Sequence, residues 1–148
     1  MRHDIRTEID IEAPPEEVWP HLVAFAAYAE WNPFITAATG SAEQGEKLSM
    51  RMEPPGGRRV TLHPRVTVAS APAVLEWLGH LGVPGLFDGR HRFELVAIGA
   101  GTHLVQREEF RGLLVRPLRR SLDGGTRQGL EAMNTALRRR VGEAHPAA

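Results

Sequence analysis

Gly101-Thr102-His103-Leu104-Val105-Gln106-Arg107-Glu108-Glu109-Phe110-Arg111-Gly112 is the stretch on which the reading of the fold turns. It alternates with period two between bounding glycines, as a half-buried strand does. Leu104 and Phe110 are the apolar members of one parity, and Gln106 and Glu108 share that face with them. Just upstream, Gly99-Ala100-Gly101 reads as a hairpin turn, and Phe87 to Ile98 reads as the partner strand. There His91, Phe93 and Leu95 point one way and Arg90, Arg92 and Glu94 the other. Downstream the alternation stops, and Leu122, Leu130, Met133, Leu137 and Val141 trace a helical stripe. A succession of strands closed by one long helix predicts a curved antiparallel sheet wrapped around that helix, with a cavity between them.

The rest of the chain agrees with this plan. Ile5, Thr7, Ile9 and Ile11 alternate with Asp4, Arg6, Glu8, Asp10 and Glu12, giving a first strand over residues 3–12. Pro14-Pro15 followed by Glu16-Glu17 opens a helix over residues 15–25, with proline in the first turn and acids at the positive end of the helix dipole. Pro20 is expected to end or bend it. A second short helix over residues 26–31 runs into Trp31-Asn32-Pro33-Phe34, where Pro33 disfavours helical geometry at Asn32 and turns the chain.

Beyond that turn, strands are expected over residues 35–41, 48–53, 60–68 and 74–80. Pro54-Pro55-Gly56-Gly57 marks a hairpin, Ala71-Pro72 a turn and Gly82-Val83-Pro84-Gly85 a loop. Pro64 implies a bulge or an edge within the third of these strands. The total is about seven strands joined by connections too short for parallel crossovers, so the sheet is antiparallel. Gly124-Gly125 should fray, bend or restart the last helix. Residues 1–143 are expected to form one domain, and residues 144–148 a disordered tail.

With 18 basic and 18 acidic residues in 148, no charge imbalance points to nucleic acid or to an anionic membrane. The runs Arg116-Pro117-Leu118-Arg119-Arg120 and Arg138-Arg139-Arg140 read as solvated helix faces. The absence of cysteine excludes disulfides, thiolate metal sites and a cysteine nucleophile. No apolar signal core opens the chain, and no stretch reaches the roughly 20 apolar residues that span a bilayer. The expectation is a cytoplasmic protein with no integral membrane segment, a monomer or a homodimer. The seven histidines show no metal-ligand spacing, and no GxSxG elbow, Walker loop or dinucleotide fingerprint appears. No metal and no cofactor are expected.

Ile11-Glu12-Ala13-Pro14-Pro15-Glu16-Glu17-Val18-Trp19, Trp31-Asn32-Pro33-Phe34-Ile35, Leu75-Glu76-Trp77, the segment from Gly85 to Leu95 and the Gly101–Gly112 strand together resemble a known family across nearly the whole chain. It is the START / Bet v 1-like superfamily, in its prokaryotic SRPBCC or polyketide cyclase/dehydrase-like section. The resemblance implies an α+β helix-grip fold whose members bind lipids, quinones, hormones or polyketides, a few of them catalysing reactions in the same cavity. Fold alone does not choose among these.

The residues expected at such a site follow from parity. Glu108, facing an apolar cavity, is the candidate acid, base or hydrogen-bond partner, unless it pairs with an arginine or leans toward the open mouth. Gln106 is placed either to orient a ligand carbonyl or hydroxyl or to satisfy backbone groups. His91 is either a proton shuttle or a hydrogen-bonded structural histidine. Trp31 and Phe34 are assigned to the cavity mouth, and Met50, Met52, Leu62, Trp77, Phe87, Phe93, Met133 and Leu137 to its walls. The expected function is binding of a hydrophobic small molecule. The alternatives are a polyketide cyclase or dehydratase using Glu108 or His91, and a protein-interaction module.

Overall fold

The computed structural model describes residues 2–144. The chain begins with β1 (Arg2–Ile11), whose buried positions Ile5, Thr7 and Ile11 share one face. It is followed by α1 (Pro15–Val23), a 3-10 turn (Phe25–Ala27) and α2 (Tyr28–Trp31). Pro15 opens α1 and Pro20 lies inside it, yet the helix continues to Val23 because Val18 and Leu22 bury fully against the core. At the turn that follows, the Asn32 side chain takes over the backbone's work. Its Oδ1 accepts from the N–H groups of Phe34 and Ile35 at 3.0 and 2.9 Å, an Asx-type turn that suits the chain around Pro33.

Among the described residues, eight strands follow the chain in order: β1, β2 (Ile35–Thr39), β3 (Ser49–Met52), β4 (Val60–Leu62), β5 (Arg65–Ser70), β6 (Val74–His80), β7 (Asp88–Ile98) and β8 (Gly101–Arg111). The extra strand relative to expectation comes from Pro64. The single strand read over residues 60–68 is broken there, because proline has no N–H for the ladder. β4 joins a three-stranded sheet, β2-β3-β4, while β5 is the edge of a five-stranded sheet, β1-β8-β7-β6-β5. Every pairing between these strands is antiparallel. Main-chain bonds knit the two sheets at the corner: Leu48 N–H donates to Pro64 O at 2.7 Å and Val66 N–H to Glu46 O at 2.9 Å.

The C-terminal helix is not interrupted at Gly124-Gly125. α3 (Val115–Ser121) passes through a π turn (Leu122–Thr126) into α4 (Arg127–Ala144), so the two glycines widen the helix instead of ending it. Ala144, read as the start of a tail, still belongs to α4; residues 145–148 lie outside the described residues.

Leu130, Met133, Leu137 and Val141 on α4 are fully or almost fully buried. Gly129 is required where α4 meets the turn, since a β-carbon there would stand 2.4 Å from the Phe34 ring. The outer face of the larger sheet is a ladder of ion pairs. Glu76 lies beneath Arg90 and Arg92 at 3.0 and 3.4 Å, and Glu94 pairs with Arg92 and Arg107.

Candidate functional site

Strand register lines up the inward side chains in rows across the larger sheet. One row reads Trp77, His91, Glu108, Ile5, and the next reads Leu75, Phe93, Gln106, Thr7. On the other side of the first row, Gly79 and Gly89 are directly opposed, followed by Phe110. Two residues without side chains leave the sheet floor bare at that end. The result is a cavity of about 160 Å³, open at one side, between the Gly79–Gly89 floor and the small sheet.

Of the residues singled out in the sequence, Phe34, Met50, Met52, Leu62, Trp77, Phe87 and Glu108 line this cavity. Several lining residues were not singled out as site residues: Val60, Pro64, Phe110, Leu122 and the exposed Arg58 at the rim. Arg58 has no acidic partner among the described residues. Phe110 sits on the same parity as Glu108, and that is the signal that pointed to it.

The remaining expected residues lie elsewhere. Met133, Leu137 and Phe93 are fully buried in the packed core and do not border the cavity. The hollow is therefore confined to the end beside the π turn; along α4 the sheet and helix meet directly. The physical reason is side-chain volume, because Phe93, Leu95 and Leu104 fill the middle of the sheet where Gly79 and Gly89 leave its end empty. Trp31 is only half-buried and packs edge-on against Tyr28 at 5.2 Å, away from the cavity.

His91 and Gln106 belong to a buried polar chain behind the cavity wall. Gln106 Nε2 donates to Asn134 Oδ1 at 2.6 Å and to Leu130 O at 3.3 Å. Asn134 Nδ2 in turn donates to Thr7 Oγ1 at 2.9 Å. Two oxygen acceptors around the Gln106 amide nitrogen fix its orientation, so Gln106 Oε1 faces His91 Nε2 at 2.6 Å and must accept from it. His91 is thereby held with its Nε2 protonated, its ring stacked on Phe93 at 4.5 Å and tilted against Trp77 at 4.8 Å.

The sequence did not bring out Asn134. Its position four residues after Leu130 and three before Leu137, a polar residue on an apolar stripe, was the available signal.

The chain ends on Glu108. His91 Nδ1 stands 3.0 Å from Glu108 Oε1, a close electrostatic approach. It lacks the alignment of a hydrogen bond, and Nδ1 has no hydrogen-bond partner. The other carboxyl oxygen, Glu108 Oε2, is buried with no hydrogen-bond partner among the described residues, in a cavity lined mostly by apolar side chains. The neighbour of Glu108 is thus a histidine and not an arginine. An acceptor buried without a donor costs about 1–3 kcal/mol, more when charged, and each such group in a native fold calls for an explanation. Among the described residues no three His, Asp or Glu side chains are grouped to hold a metal ion.

The family model described as polyketide cyclase / dehydrase and lipid transport matches residues 2–142. Among solved structures, the chain is similar to the Zhui aromatase/cyclase from Streptomyces sp. R1128, with a TM-score of 0.81 at 18% identity, over 99% of this chain and 98% of that one. It is also similar to a START superfamily protein from Mycobacterium smegmatis, with a TM-score of 0.76 at 23% identity, over 96% of this chain and 99% of that one. A third likeness is to Ara h 8.0201, with a TM-score of 0.75 at 13% identity, over 97% and 99% of the two chains. At these identities the structural likenesses speak for the fold. Among curated proteins none matches the chain.

Proposed function

The chain belongs to the polyketide cyclase / dehydrase and lipid transport family, and from that premise we propose that it binds a small, largely apolar molecule carrying one hydrogen-bond donor, which Glu108 Oε2 receives. The observation that carries this reading is the unpartnered carboxyl oxygen in an apolar cavity. A hydroxyl or amine on the ligand removes the cost of that buried acceptor, while an isostere without the donor leaves it in place. At about 160 Å³ the cavity is of the size that holds a single aromatic ring; a cavity of about 150 Å³ takes a benzene. Longer ligands extend through the open side, past Arg58, whose unpaired guanidinium suits an acidic group at the far end.

The test compares a phenol with its methyl ether by calorimetry, on the parent and on Glu108→Gln. Preference for the phenol in the parent, reduced in Glu108→Gln, supports the assignment. Equal binding of the two compounds to the parent removes Glu108 from recognition.

A second reading, acid/base chemistry as in a cyclase or dehydratase, draws on the Glu108–His91 contact. His91 is fixed with Nε2 protonated, so its Nδ1 lone pair faces the carboxyl group at 3.0 Å. Nδ1 is thus a basic position beside the carboxyl group, close enough to relay a proton once the two groups align. Glu108 can then give a proton to a cavity ligand, or take one, with His91 as its reservoir. Loss of turnover in Glu108→Gln with ligand affinity retained supports this second reading; unchanged turnover excludes it.

A further inference from the structure

The two loops that flank the β7–β8 hairpin at its open end lie against each other. Leu113 N–H donates to Gly85 O at 3.2 Å and Leu114 N–H to Leu86 O at 3.0 Å. Together they expose apolar side chains to an unusual degree: Leu113 is 81% exposed, Val83 66%, Leu81 39% and Leu118 37%. The segment from Leu81 to Phe87 contains no charged residue. The segment from Gly112 to Leu122 contains three arginines, Arg116, Arg119 and Arg120, and no acid.

All three arginines are exposed, and none has an acidic partner among the described residues. The contrast with the outer sheet face, where Arg90, Arg92, Arg107 and Arg111 are each paired, is sharp. A neutral chain thus carries, at one end, an apolar tip bordered by uncompensated positive charge.

We propose that this end docks on an anionic phospholipid bilayer, with Leu113 and Val83 inserted at the interface and Arg116, Arg119 and Arg120 against the headgroups. Charge complementarity selects that occupant. An apolar patch of a protein partner leaves three arginines desolvated without counter-charge, and a second copy of the chain sets arginine against arginine. A negatively charged interface satisfies both parts of the surface, with apolar side chains below the headgroups and guanidinium groups among them. Leu81 and Phe87 border the cavity at this same end. Docking therefore brings this edge of the cavity to the membrane surface. The proposal rests on the surface alone and is independent of any role of Glu108.

Sedimentation with vesicles tests it, using phosphatidylcholine alone and phosphatidylcholine mixed with phosphatidylglycerol. Binding is expected on the mixed vesicles, weakening as salt is raised, and only weakly on phosphatidylcholine. Each arginine near an anionic surface strengthens binding roughly fivefold. The combined Arg116→Gln, Arg119→Gln and Arg120→Gln variant is therefore expected to lose about a hundredfold in partitioning. Leu113→Ser with Val83→Ser also weakens it, and both sites are exposed enough to leave folding intact.

The control is Val96→Ser with Ile98→Ser, exposed apolar residues at the closed end of the same hairpin, which should bind as the parent does. Absence of binding, equal binding to both vesicle types, or an unchanged triple-arginine variant overturns the proposal. So does a concentration-dependent dimer abolished by Leu113→Ser, which assigns the patch to self-association.

Discussion

Replacing Glu108 by methionine separates a carboxyl kept for a ligand from one kept for the fold. Glu108 Oε2 is buried without a donor among the described residues, and the approach of Oε1 to His91 is not an aligned hydrogen bond. Methionine has similar reach and no group that needs satisfying, so the substitution recovers the desolvation cost of the orphan oxygen, about 1–3 kcal/mol. Against this stands the loss of the His91 contact. That loss is small, because the contact is not an aligned hydrogen bond and His91 keeps its 2.6 Å bond to Gln106.

The net expectation is a gain of about 1–2 kcal/mol. In a chain of this length that corresponds to roughly 2–8 °C in Tm. Thermal and denaturant unfolding of freshly stripped protein, followed by circular dichroism, reads the sign directly. A fall instead of a rise, of the 3–5 kcal/mol that attends the breaking of a buried ion pair, would show that Glu108 and His91 form a structural ion pair. Glu108 would then be kept for the fold and not for a ligand.

Three further substitutions probe other links. Gly89→Ala adds a β-carbon 3.6 Å from the Phe110 ring and 3.9 Å from Glu108 Oε2, ordinary contacts on the cavity floor. Stability should rise by about 0.5–1 kcal/mol while ring-sized ligands bind less well in calorimetry; unchanged ligand affinity would move the binding site elsewhere. Gly129→Ala gains about 1 kcal/mol of helix propensity but forces the Phe34 ring aside from 2.4 Å. Overpacking at about 1–3 kcal/mol should win, lowering Tm in a thermal melt, and a raised Tm would contradict the close approach of α4 to the turn.

His103 is bound to Asp10 at 2.6 Å and to Glu8 at 2.7 Å. Its hydrogen bond to Asp10, then that to Glu8, holds its pKa above the ordinary histidine value, while the hydrogen bond from His103 holds Glu8 below the ordinary carboxylate value. The histidine's contribution is complete below its unfolded pKa and is lost as pH rises through the raised folded one. That of Glu8 is present above its unfolded pKa and lost as pH falls through the lowered one. The stability difference between the parent and His103→Gln in denaturant titrations should accordingly be largest at mildly acidic pH and vanish on the alkaline side; a difference that grows with pH would refute the assignment.

The sequence made the hairpin of β7 and β8 legible because alternation there is uninterrupted, and parity alone put His91, Gln106 and Glu108 on the inner face. Parity carries no depth, however. It could not tell that Gln106 is held by α4 while Glu108 faces the hollow, because that depends on Asn134 reaching across from another element. The location of the cavity was obscured in the same way. Gly79 shares the parity of Trp77, but its opposition to Gly89 depends on the β6–β7 register, which composition does not encode. Pro64 announced a disturbance; that it divides one strand between two sheets follows from the pairing of β4 with β3 and of β5 with β6.

That division has a mechanical consequence for the container. The floor under Trp77, His91 and Glu108 belongs to a sheet whose β7–β8 ladder pairs eleven residues against eleven without a shift. The opposing wall, with Met50, Met52 and Leu62, meets that sheet at a seam of a few main-chain bonds around Pro64 and Val66. Strain from an oversized guest is relieved where the fewest bonds resist it. An oversized guest is therefore expected to loosen the small sheet before the floor, which hydrogen exchange on β3 and β4 against β7 and β8 would read, so that the vessel widens on the side away from the carboxyl group.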